Sequence, residues 1–451
     1  LRLYGSGIGA LKRRGGGLET RTGAETLDLD RLREDIVEGR GQRTWILTTY
    51  TTLVNYQHSL ARLPLSAVVF DEIQNLKNPV ALRAVAARAL NADFRIGLTG
   101  TPIENGLIDL WAVMDQLAPG ALGTLEEFRA TYEDAAPEAL AALYERVFGQ
   151  GSSRPPLALR RLKDDVAGDL PPKIRYLHPR LMPAHQAQVY EEARIKLANG
   201  GPGAALKMLH HIRSVSVHPS ISDGREGADF IDASGRLAAT FDILRGIAGR
   251  GERALVFIEH RQMQHRFIEL ARGAFSLSRI DLINGDTPIP QRQAIVNRFQ
   301  QHLREDRGFD ILVLGPKAAG VGLTLTAATH VVHLSRWWNP AVEEQCNDRV
   351  HRIGQSRPVT IHVPMAIHPG YRGDTFDCLL NNLMQKKRRL ARSALWPLGD
   401  TADDAAALQE MLKGSVERSA AHPLDDAMAT MFSRDGLPCP PVRLDGSYDM
   451  P

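Results

Sequence analysis

Short apolar runs alternate with helical segments along most of this chain, and that alternation constrains its fold more than any other feature. "AVVF" (Ala67–Phe70) and "FRIGLTG" (Phe94–Gly100) read as buried strands, with the helical "PVALRAVAARAL" between them. Strand, helix and strand at this spacing form a parallel pair joined by a crossover helix. "TWILTTY" (Thr44–Tyr50) adds an earlier strand. The alternation resumes later with "RALVFIEH" (Arg253–His260), "RIDLING" (Arg279–Gly285), "FDILVLG" (Phe309–Gly315), "THVVHLS" (Thr329–Ser335) and "VTIHVPMAI" (Val359–Ile367). The amphipathic "QRQAIVNRFQQHL" lies between two of these. The fold class is α/β, with two lobes built on parallel sheets.

Helical material separates the lobes. From Pro119 to about Gly151 the pattern is helical, Ser152–Lys173 is a Pro-flanked connector, and a second helical stretch runs from Pro183 to about Val217. "DTFDCLLNNLMQKKRRLARSAL" (Asp374–Leu395) is a late helix whose Phe376, Leu379, Leu380, Leu383 and Leu390 share much of one face. The sequence beyond Gly399 reads as peripheral. "GSGIGALKRRGGG" (Gly5–Gly17) has no Gly-Lys-Ser/Thr to close a phosphate loop and reads as a solvated loop.

The 451 residues suffice for two or three domains, and 43% hydrophobic with 24% charged residues is a globular composition. A net charge of only +3 leaves any nucleic-acid binding to local patches. Three scattered cysteines make no disulfide framework or metal spacing and fit a reducing intracellular compartment, cytoplasmic or nuclear. No apolar run spans a bilayer, and no membrane partner is expected.

"SAVVFDEIQNLKNP" (Ser66–Pro79) carries two adjacent carboxylates, Asp71 and Glu72, just past a strand end. There an aspartate can hold Mg²⁺ and the next carboxylate can orient an attacking water. An exposed acidic pair is the plain alternative. "EEQCNDRVHRIGQ" (Glu343–Gln355) sets Arg349 and Arg352 one helical turn apart, so both can leave one helix face toward a γ-phosphate. Two solvated arginines on a surface helix are the alternative. His210, His211 and His218 lack partners at metal spacing and read as helix surface.

Taken together these motifs resemble the Swi/Snf family of DNA-dependent ATPases, in family order, from Ile46 to Leu395. "TTYTTL", "DEIQNLKNP", "GLTGTPIENGLIDLWAVMDQL", "RRLKDDVAGDLPPK", "INGDTPIPQRQAIVNRF", "GPKAAGVGLTLTAA" and "LSRWWNPAVEEQCNDRVHRIGQ" carry the likeness. It implies two RecA-like lobes, helical insertions between them and a C-terminal brace helix. The implied domains are a partial first lobe at 1–118, helical protrusions and linker at 119–232, a second lobe at 233–368, and brace helix with tail at 369–451. ATP and Mg²⁺ are the implied cofactors.

Carried over by the resemblance, Asp71 and Glu72 are the magnesium and water-activating acids. Gln74 stands where many members have His, and Thr101 with Thr99 matches the motif coupling the ATP site to DNA. Gln345 and Asp348 order the finger helix, Arg349 and Arg352 are the fingers, and Gly322 permits close backbone approach to the nucleotide. Lys77, Asn78, Thr99, Lys317, Thr324 and Trp337 are candidate DNA contacts, with packing the alternative role for Trp337 and Trp338. Ala319 and Thr324 stand where the family usually has Gly and Asn, and Ser335 where Asp is common. The family's phosphate loop lies upstream of the first matched motif, so a truncated piece of a longer protein is expected.

The implied function is ATP-dependent translocation along double-stranded DNA with displacement of bound proteins. The segment after the last motif resembles bacterial members, and phage defence is the favoured setting. A hydrolysis-deficient nucleic-acid-binding module and a strand-separating helicase are the rivals.

Overall fold

The structure is a computed structural model. It describes the chain apart from residues 20–22, 41–43, 101–106, 133–136, 150–154, 162–166, 199–201, 222–225, 317–321, 338–339, 394–407, 409–410, 413–420 and 451. Two compact units divide it: Leu1–Leu159 with Ser393–Asp400, and Arg160–Arg392 with Thr401–Pro451. Both are α/β with parallel strand pairing, as the alternation of apolar runs implies.

The first unit contains β1 (Arg2–Leu3), β2 (Lys12–Glu19), β3 (Gly23–Leu27), β4 (Leu47–Thr48), β5 (Leu65–Asp71) and β6 (Ala92–Leu98). Its helices are α1 (Asp30–Val37), α2 (Tyr50–Asn55), α3 (Gln57–Ala61), α4 (Leu82–Arg88), α5 (Leu107–Leu117), α6 (Leu125–Tyr132) and α7 (Pro137–Phe148). β1 pairs in parallel with β4, and β5 with β6. The Gly- and Arg-rich start is not a loop, as the sequence suggested. It forms a 3-10 turn at Gly5–Leu11 and then the antiparallel β2–β3 hairpin. Buried Glu19 at the hairpin's end accepts the backbone N–H groups of His58 and Ser59, which fixes the hairpin to the start of α3.

The two faces of the β5–β6 pair differ sharply. One buries Phe70 and packs Val68 on a core that includes Leu53, Ile73, Leu76 and Ala84. Arg95, on the same face, donates to the carbonyls of Ala87, Leu90 and Gln116 and closes the ends of two helices. Gly97 is needed there, because a Cβ would meet side-chain carbons of Ile73 at 2.7 Å and Leu117 at 2.8 Å. On the other face the registered pairs Val69↔Ile96 and Asp71↔Leu98 are exposed, beside exposed Phe94. Parallel strands are ordinarily covered on both faces, so this is an open apolar surface carrying Asp71.

The second unit is a seven-stranded sheet of β7 (Lys173–Leu181), β8 (Arg253–Phe257), β9 (Asp281–Ile283), β10 (Asp310–Leu314), β11 (His330–His333), β12 (Val359–Ile367) and β13 (Tyr448–Met450). Its order is β13-β7-β12-β11-β8-β10-β9, and only β13 runs antiparallel to its neighbour. β8, β10 and β11 are buried throughout, as near-continuous apolar runs imply. The helices are α8 (Ala184–Ala198), α9 (Pro202–Val217), α10 (Gly227–Asp232), α11 (Gly235–Gly249), α12 (Arg261–Phe275), α13 (Ile289–Gln300), α14 (Pro340–Asn347), α15 (Phe376–Ser393) and α16 (Pro423–Arg434). The sequence beyond Gly399 is not peripheral throughout, since α16 and β13 bury Met428, Met431, Phe432 and Tyr448 against Leu177, Val363 and Met365. His218 is not on a helix surface. It is buried, stacks on Phe230 at 3.9 Å between ring centroids, and takes the N–H of Ser220 on Nδ1.

A row of three histidines crosses β7, β12 and β11. His178 Nε2 lies 3.0 Å from His362 Nδ1, His362 Nε2 3.1 Å from His330 Nδ1, and His330 Nε2 2.8 Å from Glu252. The carboxylate can only accept, so one register satisfies the row: each imidazole is neutral and donates from Nε2. Burial lowers the His178 pKa to about 4 and also depresses His330 and His362. An unfolded histidine titrates near 6.5, so between about pH 6.5 and 4 the unfolded chain binds more protons, and stability falls as pH falls. For His178 alone the loss is about 2 kcal/mol at about pH 5 relative to pH 8. Urea unfolding of the second unit should therefore show a midpoint that drops across this window, with a shallower drop in His178→Gln. Equal midpoints at both ends of the window would sink the expectation.

Candidate active site

In the first unit the candidate residues gather where β5 and β6 end. Asp71 closes β5, and Glu72 follows in left-handed backbone at φ 50°, a conformation non-glycine residues adopt at a cost. That turn lifts the Glu72 carboxylate off the strand line while Ile73–Leu76 begins a 3-10 turn with Ile73 and Leu76 buried beneath it. Gln74 Nε2 donates to Glu72 Oε2 at 2.6 Å, and Thr99 Oγ1 donates to Gln74 Oε1 at 2.6 Å. The buried Gln74 amide thus links the ends of both strands and leaves its carboxylate partner in a set position. Tyr50 Oη donates to the Asp71 carbonyl at 2.9 Å. Its phenol is pushed well above the usual range by burial and then by the charges of Asp71 and Glu72.

Asp71 Oδ1 takes the N–H of Glu72 at 3.1 Å, and the side chain is otherwise exposed on the open face. An exposed carboxylate at a parallel strand's C-terminal end fits a hard cation bound through oxygen. Lys77 reaches Asp109 at 3.9 Å, and Asn78 Oδ1 takes the N–H of Val80 in an exposed turn. Thr101 lies outside the described residues, as does Lys317.

In the second unit the arginines stand otherwise than the helical reading has it. α14 ends at Asn347, and Arg349 and Arg352 follow on tighter turns, with Arg349 N–H bonded to Cys346 and Val350 N–H to Asn347. They are therefore not two positions on one helix face. The turn is fixed from three sides. Leu325 N–H donates to the Arg349 carbonyl at 2.9 Å, and Arg352 Nη1 to the Leu323 carbonyl at 3.3 Å. Gln355, to which the sequence reading gave no role, donates from Nε2 to the carbonyls of Thr326 and Ala328 and accepts the N–H groups of Ser356 and Arg357.

These bonds bring Thr324, Arg349 and Arg352 together. Gly322 sits beside them at φ 35°, and among the described residues other than its chain neighbours no atom lies within 4 Å of where a Cβ would stand. The glycine thus serves the left-handed backbone. Gln345 and Asp348 are half-buried. Glu343 and Glu344 anchor the helix to its neighbours. Glu343 meets Arg388 at 2.7 Å and Arg336 at 3.4 Å, and Glu344 meets Arg175 at 2.7 Å and Lys173 at 2.8 Å. Burial opposes the Glu343 charge, but Arg336 and Arg388 outweigh it and hold the carboxyl far below its usual range. Adjacent acidic residues at the start of a helix were the available signal, read only as part of a motif. Trp337 packs on the α8–α9 core and takes the Arg213 guanidinium over its ring at 4.9 Å, which favours the packing alternative.

The first unit thus carries an acid pair at a strand end, and the second an arginine turn. The family described as SNF2-related domain matches residues 34–221, and that described as helicase conserved C-terminal domain matches 236–354. This chain belongs to the SNF2 family. Zorya protein ZorD of Escherichia coli is 34% identical over 393 residues, covering 83% of this chain and 35% of ZorD. YwqA of Bacillus subtilis, a putative ATP-dependent helicase/translocase by name, is 30% identical over 367 residues, covering 78% of this chain and 38% of YwqA. The chain thus spans a little over a third of these relatives. The Sulfolobus solfataricus SWI2/SNF2 ATPase core in complex with dsDNA is 29% identical, with a TM-score of 0.42 over 82% of this chain and 75% of that one. Among the described residues no helix is long and apolar enough to cross a membrane.

Proposed function

We propose that the chain carries the catalytic core of an ATP-dependent translocase on double-stranded DNA. The observation that carries this reading is the Thr99–Gln74–Glu72 hydrogen-bonded row at the ends of β5 and β6. It holds one carboxylate ready to accept a proton while Asp71 stays exposed beside it. Asp71 would hold Mg²⁺, which when bound offsets phosphate charge. Glu72 would orient the attacking water and take its proton. Thr99, at the far end of the row, would pass a shift in the DNA-facing segment to Gln74 and so to Glu72. Arg349 and Arg352 would stabilise charge that grows on the phosphoryl oxygens.

A phosphate-binding loop would complete this site. The open face bearing Val69, Ile96 and Leu98 lies beside Asp71 and is suited to covering α/β structure that brings a phosphate-binding loop. ATP turnover by this chain, with and without duplex DNA at low salt, tests the reading. DNA-stimulated turnover supports it. Absence of turnover both here and in a form extended upstream would leave the nucleic-acid-binding module as the better account. Release of a labelled strand from a duplex would favour the strand-separating helicase. The favoured setting is bacterial phage defence, with other protein components or DNA-bound proteins as partners. The resemblance of the segment after the last motif suggested that setting, and the likeness to a Zorya protein supports it.

Lys77 and Asn78, on the turn after the acid pair, would contact DNA phosphates together with Thr324 on the second unit. Such contacts make log affinity fall linearly with log salt. Lys77→Ala is expected to weaken duplex binding evenly across sequences and to lower the salt slope by about 1. Fluorescence anisotropy over a salt series reads this directly, and an unchanged slope would remove Lys77 from the interface.

A further inference from the structure

α15 carries a polar stripe. Asp377, Asn381 and Arg388 are offset by four and eleven residues, which places them within about 40° of one another around the helix. Each is tied to a different part of the second unit. Asp377 pairs with the buried Arg236 and accepts the N–H of Ala366 in β12 at 2.7 Å. Asn381 Oδ1 takes Arg336 Nη1 at 3.1 Å, just past the end of β11. Arg388 donates to Glu343 at 2.7 Å and lies 3.4 Å from Glu344. The stripe therefore runs from the sheet to α14, the helix that leads into the Arg349–Arg352 turn. The basic run "KKRRLAR", which the sequence leaves divided between DNA contact and a solvated end, spends Arg388 inward.

The Glu343 side chain is fully buried, and Arg388 is 15% exposed. A buried ion pair of this kind is poor evidence of stabilisation, because desolvation offsets most of the attraction. What it does fix is register and orientation. Arg175 and Lys173 hold Glu344 from β7, so α14 is held both from the sheet and from α15.

We propose that Arg388 is a positioning residue for the phosphate-facing arginines, acting through Glu343 and α14 to hold the Arg349–Arg352 turn. This rests on the ATPase reading above. Loss of the Arg388 guanidinium lets α14 rotate on its remaining contacts, and a displacement near 1 Å at a reacting group costs roughly 100-fold in rate. The same loss loosens the bonds from Leu325 to Arg349 and from Gln355 to Arg352.

The test has two readouts on Arg388→Ala and Arg388→Lys. Amide hydrogen exchange is expected to accelerate more than tenfold at residues 325 and 349–355 in Arg388→Ala, with β8 and β10 unchanged and Arg388→Lys in between. In the form of the protein that turns over ATP, kcat is expected to fall roughly 100-fold at nearly constant KM, with partial rescue by Lys. Uniform acceleration across the sheet, or a normal kcat, would overturn the positioning role while leaving the ATPase reading intact. Absence of turnover in wild type would overturn both, and the exchange data would then report only the mechanical link.

Discussion

Replacing Glu72 by Gln is expected to lower ATP turnover by roughly 10²–10⁴-fold, the usual worth of a positioned general base, with nucleotide affinity kept. The two side chains have the same shape. Gln74 donates to a Glu72 oxygen, and the Gln variant can offer a carbonyl oxygen at that position. What is lost is the second oxygen's ability to take a proton from water. Turnover of the active form, together with titration of a fluorescent ATP analogue, separates the two effects. A variant that keeps half its turnover would show that Glu72 only structures the turn. Gln74→Ala provides an internal comparison. It removes the link to Thr99 while leaving the carboxylate, so a smaller loss is expected, carried mainly by the DNA-stimulated part of the rate.

The acid pair was legible as a strand end because an apolar run stops at two adjacent carboxylates, although an exposed acidic pair was an open alternative. The left-handed backbone at Glu72 was not, since no residue type at that position announces it. In the second unit β8, β10, β11 and β12 were legible as apolar runs flanked by turn residues. β7 was not: "KIRYLHPRL" mixes charge, His and Pro with apolar residues. Its nine-residue pairing with β12 joins segments about 180 positions apart, and such pairing is a property of topology. β13 has three residues at the end of a polar tail and is a strand because the outer edge of β7 accepts it. The N-terminal hairpin was hidden by its glycines, which weaken strand periodicity. Glu19, which secures it, does so through backbone groups some 40 residues away.

The arginine turn shows the same limit at closer range. "NDRVHRIGQ" continues a helical pattern, and local propensity alone would extend α14 through Arg352. Tertiary hydrogen bonds take those backbone groups instead. Leu325 takes the Arg349 carbonyl, Gln355 takes the Val350 carbonyl at 3.3 Å, and Gly354 turns the chain at φ 98°. Carbonyls captured from outside are removed from the i→i−4 ladder, so the helix tightens and stops.

That geometry separates the two arginines, and their substitutions are expected to differ. Arg352 is half-buried and on the outer side of the turn, with one bond to the Leu323 carbonyl. Arg352→Ala is expected to lower turnover by roughly 10³–10⁵-fold with the thermal midpoint nearly unchanged, because little packing is removed. Arg349 is 8% exposed and its carbonyl anchors Leu325. Arg349→Ala keeps that carbonyl but removes a buried side chain, so it is expected to lower turnover and also to destabilise the second unit by roughly 0.5–3 kcal/mol through lost packing. Arg352→Lys restores charge but not the planar fork that grips a phosphoryl group at two points, so recovery should be slight. Turnover measured beside denaturant unfolding of all three variants decides the matter. Full activity in Arg352→Ala would exclude it as a finger and leave Arg349 to act alone. Equal destabilisation by both alanine variants would mean that the turn, and not either guanidinium, is what the second unit contributes.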